Sequence, residues 1–267
     1  MKVLVLCVSM LTAFSYSYSQ TSRDGDDLNL MDVLELFKDS DSMEEFENAL
    51  NSSDNPVNNL DLNDDGKVDY IQVIDQVEGN VNTLILRVPM NETEFQDVAV
   101  IELEKLDDHT SVIQIIGDED LYGENYIVEP ISEVSSEFKN VHAWKSVAYL
   151  HGPRYKTWKS PFRYGVYPSG FILRNKLTRA NYISRVSHHR AYYRQVKHYR
   201  SVKAHAFYTR NRKVSTHYKN RHRKEVHNSA PVKNQKRRNH HQKHNFYSKF
   251  HLKFLLFQIL RKFFLGN

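Results

Sequence analysis

DLNDDGKVDYIQVIDQV, residues 61–77, sets two patterns back to back, and the junction between them decides the fold. Asp61, Asn63, Asp65 and Asp69 occupy alternate positions of a polar loop with Gly66 inside it, while the half that begins at Asp69 alternates as a β-strand does. The loop therefore leads into a strand, where helical periodicity after Gly66 would have placed it between two helices. Carboxylate or amide oxygens at the first, third and fifth positions, a glycine at the sixth, a backbone carbonyl at the seventh and a ligand at the ninth are what an oxygen-ligated calcium loop requires. Counted from Asp61, these positions are Asp61, Asn63, Asp65, Gly66, Lys67 and Asp69, with Gln72 at the twelfth. Val68, at the eighth, is apolar and suited to packing the loop on a core. The plainer reading is an Asp-rich surface turn whose side chains cap its own backbone. Three carboxylates in one loop repel one another without a cation, which favours the metal.

Working outward, Leu30, Val33, Leu34 and Phe37 recur at helical spacing, as do Met43, Phe46 and Leu50 after Ser42. Two short amphipathic helices follow between residues 27 and 51, the second with Ser42 as N-cap and Glu45 three residues on. SSDNPVNN, residues 52–59, ends the second helix in turns. Four runs of strand character come next, Val68–Val77, Thr83–Val88, Val98–Leu103 and Ser111–Ile116, separated by polar turns such as EGN and LDDH. The short turns favour antiparallel hairpins. The expected fold class is α+β: two N-terminal helices and a small antiparallel sheet of about four strands.

Charge divides the chain. Up to Asn140 there are 31 Asp and Glu against 7 Lys and Arg, a formal −24; from Val141 onward Glu225 alone faces 30 Lys and Arg, a formal +29. Thirteen of the 14 histidines also lie in the basic half. The N-terminus, MKVLVLCVSMLTAFSYSYSQ, reads as a secretory signal peptide, residues 1–19, whose removal would take Cys7, the one cysteine, with it. An acidic α+β domain at 20–140 carries the calcium loop 61–72, and an aromatic Gly- and Pro-containing segment follows at 141–172. The tract 173–249 is basic, rich in His and Tyr and poor in aliphatics, so disorder is expected there. In 250–267, FHLKFLLFQILRKFFLGN, Leu252, Leu255, Leu256, Ile259, Leu260 and Phe263 share the apolar face of a terminal amphipathic helix.

The stretch 61–72 resembles the calcium loop of EF-hand and dockerin proteins over about a dozen residues. The resemblance implies a calcium ion held by Asp61, Asn63, Asp65, the Lys67 carbonyl, Asp69 and Gln72. Gln72 stands where EF-hands place a bidentate Glu, so affinity is expected at the weak extracellular end, about 0.1–1 mM. Asp64 and Asp75 are candidate replacements for that carboxylate. More loosely, the signal segment, the loop, the short strands and GDEDLYGENYIVEP look like secreted bacterial proteins with a single EF-hand-like loop, over residues 1 to about 165. That likeness implies a secreted or periplasmic location at the cell envelope and no enzyme activity.

No nucleophile elbow, HExxH or phosphate-cradling glycine loop occurs, and 9 glycines leave little room for one. Asp118, Glu119, Asp120 and Glu124 form either a solvated acidic turn, a second cation site or a partner for the basic half. His188 and His189, and His240, His241 and His244, suit opportunistic transition-metal binding. The basic, aromatic-interleaved tract fits a polyanion, which in the envelope means anionic lipid, lipopolysaccharide, an acidic glycan or extracellular DNA. Equally, the +29 half reads as neutralising the −24 half. Residues 250–267 suit a membrane surface, and are too short and too charged to span it.

Overall fold

The computed structural model describes residues 23–186 and 191–221. The expected signal peptide 1–19, the tract 222–249 and the terminal helix 250–267 lie outside the described residues.

The two N-terminal helices form where periodicity places them. In α1 (Leu30–Asp39), Asn29 caps the first turn, its side-chain oxygen accepting the N–H groups of Met31 at 3.0 Å and Asp32 at 3.4 Å. In α2 (Met43–Leu50), the Ser42 hydroxyl accepts the Glu45 N–H at 3.2 Å, while the Glu45 carboxylate takes the Asp41 N–H at 2.7 Å. Their apolar faces meet through Phe37 and Phe46, edge-on at 5.3 Å.

The sheet has six antiparallel strands in sequential order, not four. They are β1 (Gln72–Glu78), β2 (Val81–Pro89), β3 (Phe95–Lys105), β4 (Ser111–Gly117), β5 (Ile127–Pro130) and β6 (Tyr193–Val196). The first four correspond to the expected runs, although β1 starts at Gln72 because loop contacts hold residues 61–71 out of the ladder. β5 and β6 are four residues each and carry Glu129 and Arg194, so neither shows an alternating apolar signal. Between β4 and β6 come the short helices α3 (Glu119–Tyr122), α4 (Ser136–Lys139), α5 (Lys145–Leu150) and α6 (Arg179–Ile183), and α7 (Val202–Asn211) follows β6.

One face of the sheet packs against α1, α2 and α5 over the main core, which includes Val73, Leu84, Leu86, Ile101 and Ile115. The other face lies under α7 and carries a second, smaller cluster of Ile85, Val100, Ile116, Ile127 and Tyr208. Beside that cluster runs a polar row: Gln76 opposes Thr83, Thr83 opposes Glu102, Glu102 opposes Gln114, and Glu129 opposes Arg194. Gln114 joins the two parts by donating to Glu129 at 2.9 Å.

The expectation of disorder throughout 173–249 is corrected for the described part. Residues 173–186 and 191–221 contribute α6, β6 and α7 to the one sheet and its cover. Tyrosine takes the place of the missing aliphatics: Tyr182, Tyr193, Tyr208 and Tyr218 are all buried. The Tyr182 hydroxyl donates to the Val57 carbonyl at 2.8 Å and accepts the Asn29 N–H at 2.9 Å, and that of Tyr193 donates to Glu35 at 2.7 Å. A count of Leu, Ile and Val misses a core made by rings, of which Tyr182, Tyr193 and Tyr218 also have their hydroxyls bonded across the molecule.

Glu47 ties the segment 155–162 to this frame. Only 1% exposed, its carboxylate accepts from Tyr70 Oη at 2.8 Å, Val73 N at 2.9 Å, Trp158 Nε1 at 2.8 Å and Ser160 Oγ at 2.6 Å. Removing a buried acceptor leaves its donors unpaired, so Glu47→Leu should cost about 3–5 kcal/mol in urea unfolding and shift tryptophan emission to the red. A cost near zero would show that the four donors find other partners.

Candidate metal centre

Local hydrogen bonds shape the inside of the loop. Asp64 and Gly66 are both left-handed, at φ 58° and 79°, a conformation that costs glycine little and that short polar side chains tolerate. Two successive reversals wrap the chain around Asp61, whose carboxylate accepts the N–H of Asp65 at 3.1 Å and of Gly66 at 3.0 Å. Asn63 Oδ1 accepts the same Asp65 N–H at 2.9 Å, and Asp65 Oδ1 takes the Lys67 N–H at 2.8 Å. Asp69 returns to the start of the loop, its Oδ2 accepting the Leu62 N–H at 2.5 Å and its N–H donating to the Leu60 carbonyl at 2.7 Å. Asn58, fully buried, fixes both ends: its Nδ2 donates to the Asp69 carbonyl at 2.8 Å and its Oδ1 accepts the Leu60 N–H at 3.0 Å.

Five of the six expected ligands therefore belong to one closed loop. At Lys67 the chain bridges antiparallel to Asn175, with the Val68 N–H donating to the Arg174 carbonyl and the Lys176 N–H to the Gly66 carbonyl, each at 3.0 Å. These bonds leave the Lys67 carbonyl on the opposite edge of the chain. Gln72 is placed elsewhere. It is the first residue of β1, and its Nε2 donates to the Phe162 carbonyl at 2.9 Å. Of the two reserve carboxylates, Asp75 takes the Tyr155 hydroxyl at 2.8 Å and the Trp158 N–H at 3.1 Å, and Asp64 pairs with Arg221 at 3.1 Å. Neither joins the loop's inner oxygens. Among the described residues, no three Asp, Glu, His or Cys side chains stand together as a ready metal cage.

Electrostatics single out Asp61 and Asp69. Burial pushes the Asp61 carboxyl above its ordinary range, against the hydrogen bonds from Gly66 and Asp65 and the charge of Lys176, while the neighbouring Asp65 charge adds to the rise. Burial lifts Asp69 much further, to about 7, with the Asp61 and Asp65 charges adding repulsion and the Leu62 N–H and Arg221 opposing it. The donor set is one amide, one carbonyl and three carboxylates, Asp61, Asp65 and Asp69. Such hard oxygens suit calcium or magnesium and are a poor match for a soft metal.

Sequence reasoning missed the residues that brace the loop from the basic half. Arg221 donates to the Leu62 carbonyl, and Lys176 pairs with Asp27 at 2.8 Å, close enough for its charge to act on Asp61. Glu47 did carry a signal, since it falls on the same helical face as Met43, Phe46 and Leu50. The acidic turn at 118–124 resolves toward the basic half: Arg212 bonds Asp118 at 2.7 Å, Glu119 at 2.9 Å and Asp120 at 3.0 Å. The histidines 188, 189, 240, 241 and 244 lie outside the described residues.

Asp69 makes stability depend on pH with a definite sign. Its carboxyl ionises near 3.8 without the fold and near 7 within it, so the folded chain holds the extra proton and loses stability as pH rises through about 7. In a calcium-free buffer, Asp69→Asn should melt higher than the parent at about pH 8, and the gap should narrow as pH falls below about 7 and close only at about pH 4 or below. Equal melting at the higher pH would remove Asp69 as the titrating group. Comparison of the chain with protein-family models, curated proteins and solved structures finds no match, so the reading of this site rests on its own geometry.

Proposed function

We propose that the chain is a secreted or periplasmic calcium-binding protein without enzymatic activity, in which one ion at loop 61–72 fixes the entry into β1. The observation that carries this reading is a loop closed around the Asp61 carboxylate, with Asn63, Asp65 and Asp69 bonded into it, which sets the Asp69 carboxylate against the repulsion of Asp61 and Asp65. A divalent cation relieves that repulsion directly, whereas an acidic turn kept only for its shape needs no such crowding. Asp61, Asn63, Asp65 and Asp69 supply side-chain oxygens and Lys67 its carbonyl. Gln72 is a weak last member because its Nε2 already serves Phe162. The composition of residues 1–19 supports export, and no residue group assembled in the sequence supports a reaction.

A second reading, contact with an anionic envelope component through the basic tract, draws on a different part of the chain. Within the described residues, Lys176, Arg194, Arg200, Arg210, Arg212 and Arg221 each pair with an acid, which supports internal neutralisation there. The composition of 222–267, basic and then apolar, is what supports an external anion or membrane surface.

Calcium titration calorimetry on the full chain should give one saturable site with Kd of about 0.1–1 mM, with magnesium silent, and a calcium-dependent rise in melting temperature. Replacing Asp61 and Asp65 by Asn should abolish both. No heat and no stabilisation at several times that concentration would reduce the loop to an acidic turn.

A further inference from the structure

Eleven large hydrophobic side chains stand exposed among the described residues, and five of them fall within ten positions: Tyr164, Val166, Tyr167, Ile172 and Leu173. Val166 and Ile172 are each 62% exposed, well beyond the partial exposure ordinary for an aliphatic side chain at the rim of a core. They cannot fold inward, because the underside of their loop is already packed. Phe162 stacks on Tyr70 at 4.4 Å, Phe171 meets Tyr70 edge-on at 5.2 Å, and Tyr167 stacks on Phe171 at 4.7 Å. A tight reversal sets the tip: Arg163 and Val166 exchange backbone hydrogen bonds of 3.1 and 2.7 Å, with Gly165 left-handed between them at φ 76°. The antiparallel bridge of Lys67 to Asn175 pins the far end. Ordering such a loop on a target costs little, since it is held in place beforehand.

Charge complements the apolar tip. Arg154, Lys156, Lys159 and Arg163 are exposed, none of them makes an ion pair among the described residues, and the sequence holds no acid between Glu137 and Glu225. The acids on this flank come from elsewhere in the chain: Glu92 lines a cavity with Arg163 and Tyr164, and the charges of Asp69 and Asp65 reach Tyr167. A soluble polyanion would use the cations and leave the aliphatics wet, and an apolar protein groove would leave four cations unanswered. A bilayer with anionic headgroups meets both, and tyrosine is at home at that boundary.

We propose that the loop 162–173 docks this protein on the surface of an anionic phospholipid membrane, with Val166 and Ile172 entering the headgroup boundary and Lys159 and Arg163 facing lipid phosphates. The proposal depends neither on calcium at 61–72 nor on residues 250–267. The test therefore changes the loop within the full chain and runs in both calcium and EDTA.

Flotation with phosphatidylcholine vesicles, and with mixed phosphatidylcholine–phosphatidylglycerol vesicles, reads the outcome. The parent should float with mixed vesicles only, less as salt rises, and the double substitution Val166→Ser and Ile172→Ser should weaken flotation by about tenfold or more. Melting should not change, because both side chains are already in water. Lys159→Gln with Arg163→Gln should flatten the salt dependence. Failure to float with mixed vesicles in either buffer overturns the proposal, as does equal flotation with pure phosphatidylcholine. Full retention of flotation by the Val166 and Ile172 variant also overturns it and assigns attachment to another segment. So does a heparin affinity that matches the vesicle affinity and is indifferent to that substitution, which would mark a soluble-polyanion site.

Discussion

Glu129 sits in the middle of β5 at 3% exposure and takes hydrogen bonds from Gln114, Arg194 and Arg200. Burial alone would push its carboxyl up, but the two guanidiniums outweigh it and hold the group below the usual carboxylate range. The same constraint recurs over the molecule: the first half buries acids, and a buried acid must have donors. Asp118 finds Arg212, Asp97 finds the Lys213 N–H beside Arg87, and Glu102 finds His205. Most of these donors come from beyond residue 190. The charge boundary near residue 140 is thus no boundary in the fold, because each half carries what the other needs.

This dependence explains why so aliphatic-poor a segment is ordered. Neutral donors and arginines fix its backbone at the acids, and buried tyrosines supply the apolar area that Leu and Ile would otherwise bring. β6 completes the sheet on Glu129, and α7 closes the second face over Glu102 and Ile85. Neither element has hydrophobic periodicity strong enough to form alone. Both are held in place by the sheet that they pack on.

The loop 61–72 belongs to the same economy of charge. Its outer edge pairs with 174–176, Arg221 reaches its second residue, and Tyr70 near its end carries the aromatic loop 162–173. The loop is therefore in direct contact with segments far along the chain. The protein's own cations brace the loop from outside while leaving the repulsion among its inner carboxylates in place.

The sequence by itself determined what local chemistry settles. Helical spacing around Leu34 and Phe46, the Ser42 cap, four alternating runs, and the shape of a loop set by Asp61 and Gly66 all depend on residues within a few positions of one another. The gathering of Asp61, Asn63, Asp65, Lys67 and Asp69 in one loop was legible for that reason, and the place of Gln72 was not, because its amide goes to Phe162, ninety residues away. Only the tertiary structure decided that β5 and β6 exist, that tyrosines replace aliphatics beyond residue 173, and that Glu47 holds the segment 155–162. The physical reason is common to all three. A buried hydrogen bond gains its strength from the water excluded around it, and that exclusion is a property of the assembled fold, not of any stretch of the chain.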